Sequence, residues 1–240
     1  MRVMLFVVAV ATLGLSGFAA WFFFGGPEED PTRVKLQAYM AEIETLTPKA
    51  RSGDIRTQYE LARLYHHGEP GAQDLTLALS WYTKAAQKGH IGAQYAIGTM
   101  FANGEGTKQS YYRASEWYRL AANLGRHPDA RFALGELYYR GHGPARDYAE
   151  AVDWYRKAAE AGQPVAQHML GVMIQEGSAG KADAVEAYKW FTLALAHRRR
   201  IIAHDPKLDT LAARDSLIQG MNQNQIKRGE EAVRAWRPKR

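Results

Sequence analysis

The sequence contains no cysteine. This absence excludes a disulfide framework, a thiolate metal site, a cysteine nucleophile and a lipid-modified N-terminal cysteine. The chain also lacks a GxSxG, HExxH or phosphate-binding glycine motif. Its eight histidines show no metal-site spacing, since the closest pair, His66 and His67, are adjacent residues that do not share a helix face. We therefore predict a protein that is not an enzyme and has no cofactor and no metal.

Charged residues are absent from a long segment that begins at residue 3. Residues 3–24 carry no charged side chain, and 22 residues are enough to cross a bilayer as a helix. We predict that residues 1–26 are an uncleaved transmembrane anchor, with Arg2 on the cytoplasmic side. The alternative is a cleaved signal peptide with Gly17 and Ala19 before the cut, although the apolar run is longer than such peptides normally have.

Both interpretations of residues 1–26 export the rest of the chain. In a bacterium the protein is then a single-pass inner-membrane protein with its repeats in the periplasm, or a soluble periplasmic protein after cleavage. Residues 27–32, rich in proline and acidic residues, are predicted to be a linker.

The net charge of +6 is concentrated at the C-terminal end. Residues 197–240 contain eleven Lys/Arg and five Asp/Glu, and the rest of the chain is neutral. Such a terminus is either simply solvated or contacts anionic lipid or an acidic partner. No nucleic-acid-binding module accompanies the charge, so we predict no nucleic-acid partner, and we expect no small-molecule substrate.

The dominant feature is a repeat with a period of 36 or 37 residues. Its most regular members are four tryptophans and four glycines: Trp81, Trp117, Trp154, Trp190, Gly68, Gly104, Gly141 and Gly177. A fixed period of this length is typical of a solenoid, in which each unit buries its apolar faces against its neighbours. Each unit is predicted to contain two helices, the first ended by its glycine and the second N-capped, as by Asp147 in the third unit.

Small residues also recur at one position of each first helix, namely Ala62, Gly98, Gly135 and Gly171. An aromatic side chain of the second helix is predicted to lie against the bare backbone there. A larger residue would push the two helices apart, and overpacking of this kind costs about 1–3 kcal/mol.

The pattern LGxxYxxGxG…D…A..WYxKAAxxG resembles the Sel1-like repeat, a relative of the tetratricopeptide repeat. The resemblance implies an all-α, right-handed α-solenoid of about four Sel1-like helix-turn-helix repeats with capping helices, preceded by one N-terminal hydrophobic helix. The C-terminal segment also resembles the ending of bacterial Sel1-like proteins. The predicted units are an N-terminal capping helix at 33–53, repeats at 54–89, 90–125, 126–162 and 163–198, and C-terminal capping helices with a basic tail at 199–240.

The ends of the solenoid carry three further predictions. Pro48 is expected to kink or end the N-terminal capping helix. The fourth repeat departs from the pattern, with Leu195 and Arg198 at its second alanine and closing glycine, so its second helix is expected to run past Ala196. Asn222 and Gln225 are spaced as a capping pair.

The candidate binding residues lie on the face of each first helix that points away from its core face. In solenoids of this type the first helices line the concave surface, and aromatic residues there are good anchors for a protein partner. The candidates are Tyr59, Arg63, His66, Tyr95, Thr99, Phe132, Glu136, Tyr139 and His168. The alternative is that the ladder of Tyr59, Tyr95, Phe132 and His168 packs against neighbouring first helices as part of the core.

The sequence therefore favours a non-enzymatic scaffold or adaptor of the bacterial envelope, which holds a partner protein or peptide on the concave face and meets the membrane through its N-terminal helix. One alternative is an accessory or assembly subunit of an inner-membrane complex, because Gly14 and Gly17 allow close helix packing in the membrane. A cell-wall or β-lactam hydrolase is a further alternative, because some cysteine-rich relatives carry that description, yet this chain has no cysteine.

Overall fold

The computed structural model describes residues 30–68, 71–178 and 180–239. Within these ranges the chain forms twelve α-helices and no strand, which confirms the all-α prediction for this part of the protein. None of these twelve helices is long and apolar enough to span a membrane. The predicted anchor at 1–26 lies outside the described residues, as does most of the predicted linker.

The helices follow one another with short connections. In chain order they are α1 (Pro31–Arg51), α2 (Ile55–His67), α3 (Leu75–Gln87), α4 (Ile91–Asn103), α5 (Tyr111–Leu124), α6 (Pro128–Arg140), α7 (Tyr148–Glu160), α8 (Pro164–Glu176), α9 (Ala184–Leu195), α10 (Arg198–His204), α11 (Thr210–Gln219) and α12 (Gln223–Ala235).

The eight helices from α2 to α9 form four antiparallel pairs. The first helices are α2, α4, α6 and α8, and each packs against the second helix that follows it and the second helix that precedes it. The second helices contribute pairs of almost fully buried alanines, such as Ala85 and Ala86 or Ala158 and Ala159. Small side chains at these positions let the next repeat approach closely, so the core continues from one repeat to the next.

The ends of the helices follow from a few side chains. The side-chain oxygens of Asp74, Ser110, Asp147 and Asp183 accept hydrogen bonds from the first turns of α3, α5, α7 and α9. Gly104, Gly141 and Gly177 end α4, α6 and α8 with left-handed φ angles of 76°, 69° and 69°. Gly68 follows α2 with a φ of −59°, so the first repeat ends its first helix differently.

The small residues that recur in the first helices make the predicted contact with aromatic side chains of the second helices. A Cβ atom added at Gly98, Gly135 or Gly171 would lie 2.5, 2.6 or 2.8 Å from an aromatic ring of the second helix. These rings belong to Tyr118, Tyr155 and Phe191. The aromatic side chains therefore rest directly on the backbone of the first helices, as the sequence predicts.

The repeated tryptophans pack into the core from the second helices. Trp81 and Trp154 are almost entirely buried, and the amines of Lys84 and Lys157 lie over their rings at 3.8 and 4.2 Å from the ring centroids. Trp190 is fully buried. Trp117 is half-buried, and its repeat has a leucine where the first and third repeats have these lysines.

Two expectations about the ends of the solenoid need correction. Of the two effects expected of Pro48, a kink or an end, the end is excluded: helix α1 continues to Arg51, because a proline in the last turn removes only one backbone donor and its carbonyl still accepts from Ser52 N. The second helix of the fourth repeat ends at Leu195 instead of running past Ala196. The chain turns there into α10, whose Ile201 is completely buried.

The C-terminal helices cover the end of the solenoid. Helices α11 and α12 pack mainly against α9, and the ring of Tyr188 lies against the backbone of Gly229. Asn222 and Gln225 form the predicted reciprocal capping box at the start of α12. The tail then returns to α7, where Lys239 contacts the backbone and side chain of Glu160.

Candidate protein-binding face

The four ladder residues occupy equivalent positions on α2, α4, α6 and α8, but their exposure changes along the chain. Tyr59 and Tyr95 are half-buried. Phe132 and His168 are only 7% and 4% exposed. The structure therefore leaves the first two members of the ladder partly accessible and buries the last two.

The C-terminal segment is the cause of that burial. Arg200 of α10 pairs with Asp129 at 3.2 Å, and the ring of His204 lies edge-on to Phe132 at 5.3 Å. Farther along, Thr210 Oγ1 lies 2.9 Å from His168 Nδ1, and burial lowers the pKa of this histidine. At these two ladder positions the side chains belong to the packing between the repeats and the C-terminal helices.

The two half-buried members of the ladder are stacked on histidines from the next repeat. The rings of Tyr59 and His90 lie 4.2 Å apart, and the rings of Tyr95 and His127 lie 4.6 Å apart, nearly parallel in both pairs. Burial lowers the pKa of both histidines. Each tyrosine is thus supported on one side and free to contact a ligand on another.

These histidines also cap helices. His90 Nδ1 accepts a hydrogen bond from Ala93 N at 3.1 Å, and His127 Nδ1 accepts one from Ala130 N at 3.3 Å. Sequence reasoning missed this role. The signal was present, because the four residues that cap the first helices, Asp54, His90, His127 and Gln163, keep the spacing of the repeat.

Three of the other candidates are engaged within the protein. His66 Nε2 lies 2.9 Å from Glu105 Oε2 and joins the first and second repeats. The hydroxyl of Thr99 accepts from Tyr118 at 3.3 Å. Glu136 Oε1 accepts from the hydroxyl of the fully buried Tyr155 at 2.5 Å.

The pKa of Tyr155 is raised strongly by burial and by the carboxylate of Glu136. Glu136 also pairs with Arg140 on the next turn of α6. Arg63 and Tyr139 are the candidates that remain exposed.

A cleft of about 510 Å³ lies between α4 and α6 and brings part of the candidate set together. Its walls include Tyr95, Phe132 and Glu136 among the predicted residues. The start of α5 adds Tyr111, the connection after α6 adds His142, and α10 adds His204 as further lining residues. Three of the four aromatic lining residues, Tyr95, Tyr111 and Phe132, contact a histidine, and the rings of Tyr111 and His142 stack at 4.5 Å.

The cleft offers recognition chemistry. Its aromatic rings present apolar surface, and Arg140 and Glu136 add charges of both signs at one wall. Among the described residues, no group of three or more histidine, aspartate and glutamate side chains is placed to hold a metal ion. The arrangement is suited to contacting a polypeptide through side-chain packing and hydrogen bonds.

A second repeated interaction joins the repeats and was not foreseen. In three repeats a glutamine side chain donates from Nε2 to a carbonyl in the last turn of the preceding helix. These residues are Gln58, Gln94 and Gln167, with distances of 2.9, 3.5 and 3.2 Å. In the third repeat, Arg131 Nε makes the equivalent contact at 3.4 Å. These bonds satisfy carbonyl groups that a helix end leaves without a partner.

Comparison with known proteins gives a consistent result. The family model of the Sel1 repeat matches residues 55–90, 91–125, 128–163 and 164–197. Comparison with curated proteins gave no match.

Solved structures with a similar fold include a Sel1 repeat protein from Oxalobacter formigenes. It is 28% identical, has a TM-score of 0.65, and the alignment covers 82% of this chain and 76% of that one. A protective antigen of uropathogenic Escherichia coli strains with an SLR fold is 29% identical, with a TM-score of 0.67. The alignment covers 90% of this chain but 43% of the antigen, so this chain spans less than half of that protein's length.

Proposed function

The chain belongs to the Sel1 repeat family, and we propose that it is a non-enzymatic scaffold that holds a segment of a partner protein in the cleft between α4 and α6. The observation that carries this proposal is the cleft itself, about 510 Å³ in volume and lined by Tyr95, Tyr111 and Phe132. Tyrosine and arginine are enriched among the residues that contribute most to binding between proteins, and Tyr95, Tyr111 and Arg140 all line this cleft.

The walls of the cleft are held in place before any partner arrives. Tyr95 is stacked on His127, Tyr111 on His142, and Phe132 contacts His204. A pre-ordered wall loses little side-chain entropy when a ligand binds, which favours affinity.

The proposal includes the location of the protein. The uncharged run at 3–24 supports attachment to, or export across, a bacterial inner membrane, with the repeats on the periplasmic side. Fractionation of cells that express the full chain, with protease added to spheroplasts, tests this part. Repeats that are digested only after the cells are lysed would contradict it.

The cleft is tested by filling it without removing any of its packing. Ala133 lines the cleft, and Ala149 is exposed on the first turn of α7, so Ala133→Arg and Ala149→Arg are chemically matched variants. Partners are captured from native membranes by the full-length chain and identified by mass spectrometry. A photo-crosslinking residue at Asn103, an exposed residue that lines the cleft, then shows whether the partners contact the cleft.

We expect one set of partners with the unaltered chain and with Ala149→Arg, and loss of that set with Ala133→Arg. The comparison is valid only if the two variants have similar Tm values in thermal unfolding. Partners that remain bound to Ala133→Arg, or that do not crosslink at position 103, would show that binding takes place elsewhere.

A further inference from the structure

The histidine caps of α4 and α6 hold the neutral form of the side chain by their geometry. A backbone N–H is always a donor, so the Nδ1 atoms that accept from Ala93 and Ala130 carry no proton. The other two caps of the series, Asp54 and Gln163, accept the same hydrogen bond through oxygen atoms. The first turns of α4 and α6 are therefore each capped by a histidine nitrogen that can take up a proton in mild acid.

From this geometry we propose that His127, together with His90, is a proton-operated cap, and that mild acid releases the start of α6 and loosens the wall of the partner-binding cleft. This inference names a regulation of the site in the proposed function and rests on it for its biological meaning. The proton would add to Nδ1, which then becomes a second donor facing the N–H of Ala130. The added positive charge would also lie at the N-terminus of a helix, where a cation is unfavourable.

The surroundings of His127 set the direction of its titration. Burial lowers its pKa, and the nearby carboxylate of Asp129 opposes this effect without reversing it. The carboxylate of Asp129 also pairs with Arg200 of α10 at 3.2 Å and accepts from Gln163 Nε2 at 3.3 Å. These contacts weaken the effect by which Asp129 raises the pKa of His127. The ring of Tyr95 packs against His127 from α4.

His90 has fewer charged neighbours. Burial lowers its pKa, and the ring of Tyr59 covers it from α2. The adjacent amine of Lys88 is bound to the carbonyl of Gly53 at 2.6 Å. Both caps are therefore neutral at neutral pH and accept a proton only below the ordinary histidine pKa of 6.5.

Helix α6 connects this cap to the cleft. The helix begins one residue after His127 and carries Phe132, Glu136 and Arg140 into the cleft wall. Tyr95 forms the opposite wall and is held by the imidazole ring that would become charged. Loss of one hydrogen bond at the start of α6 thus acts on both walls of the cleft.

The test uses nuclear magnetic resonance of the full-length chain without any partner. We expect the imidazole of His127 to be in the Nε2–H form at neutral pH and to titrate with a midpoint below 6.5. The amide of Ala130 and the rings of Tyr95 and Phe132 should shift with the same midpoint. An Ala130 amide that does not follow the titration of His127 would overturn the proposal.

The matched variant replaces both histidines with the residue that the fourth repeat uses. Gln163 caps α8 through Oε1, so His90→Gln and His127→Gln preserve a cap that does not titrate. On acidification from about pH 7.5 to about pH 5, the unaltered chain should lose about 2–4 °C more in Tm for each cap than the double variant. His168 titrates equally in both proteins, so its effect cancels.

A double variant that loses as much Tm as the unaltered chain would overturn the proposal. Because neither measurement contains a partner, its failure is separate from failure of the proposed function. Ala133→Arg tests that function at neutral pH, where both caps are intact.

Discussion

The hydrogen bond between Tyr155 and Glu136 gives the most direct test of how the third repeat is held together. Tyr155 is completely buried, and its hydroxyl donates to Glu136 at 2.5 Å. Glu136→Leu removes the acceptor and leaves the hydroxyl without a partner. A hydrogen bond to a charged group contributes about 1.5–3 kcal/mol, and the exposed pair with Arg140 adds little, so we expect the loss to lie in that range.

A double-mutant cycle separates this bond from other effects of the substitution. Tyr155→Phe removes the hydroxyl and keeps the ring against Gly135. In that background Glu136→Leu should cost less than about 1 kcal/mol, because no buried donor is left unsatisfied. Urea unfolding followed by circular dichroism measures all four proteins. A coupling free energy near zero would refute the assignment of Glu136 as the anchor of Tyr155.

Two further predictions concern packing and pH. Gly171→Val places side-chain atoms inside the contact with Phe191 and should destabilise the protein by about 1–3 kcal/mol. The control Gly220→Val lies at an open C-cap with a φ of −93° and should destabilise it less. Thermal unfolding of the two variants tests this difference. The pKa of His168 is lowered in the folded state, so its contribution to stability is complete above pH 6.5 and declines as pH falls below that value. Unfolding free energies of His168→Asn should therefore depend less on pH between about 7.5 and about 5 than those of the unaltered chain, and an equal dependence would contradict this reasoning.

The repeated part of the fold could be predicted from the sequence because its determinants are local and periodic. Gly135 and Tyr155 are separated by one helix and one turn, and the same pair recurs in neighbouring repeats as Gly98 with Tyr118. A contact of this kind leaves a visible spacing in the sequence. The glycine that ends each first helix is recognisable for the same reason.

The covering of the ladder could not be predicted in the same way. Arg200 meets Asp129 across 71 residues, and Thr210 meets His168 across 42 residues, without any repeated pattern in the C-terminal segment. The sequence predicts that the aromatic residue Phe132 lies on the face of α6 that points away from the core face of that helix. Whether that side meets solvent depends on where α10 lies, which only the tertiary structure specifies.

The histidine caps illustrate a different limit. Histidine is not among the residues that normally cap helices, so the sequence does not distinguish His127 from the other histidines as the cap of a particular helix. Its role depends on which ring nitrogen faces the backbone, and this is a property of the side-chain rotamer. The glutamine contacts escaped notice similarly, because Gln94 fits equally well on a solvated surface.

The position of Thr210 against His168 also limits the length of what the scaffold can hold. The C-terminal helices bury the third and fourth ladder residues, Phe132 and His168, so under the proposed function a linear ligand would extend from Tyr59 to the cleft beside Phe132 and no farther along the ladder. The covered C-terminal end of the ladder would therefore limit how far a bound segment can extend along the first helices.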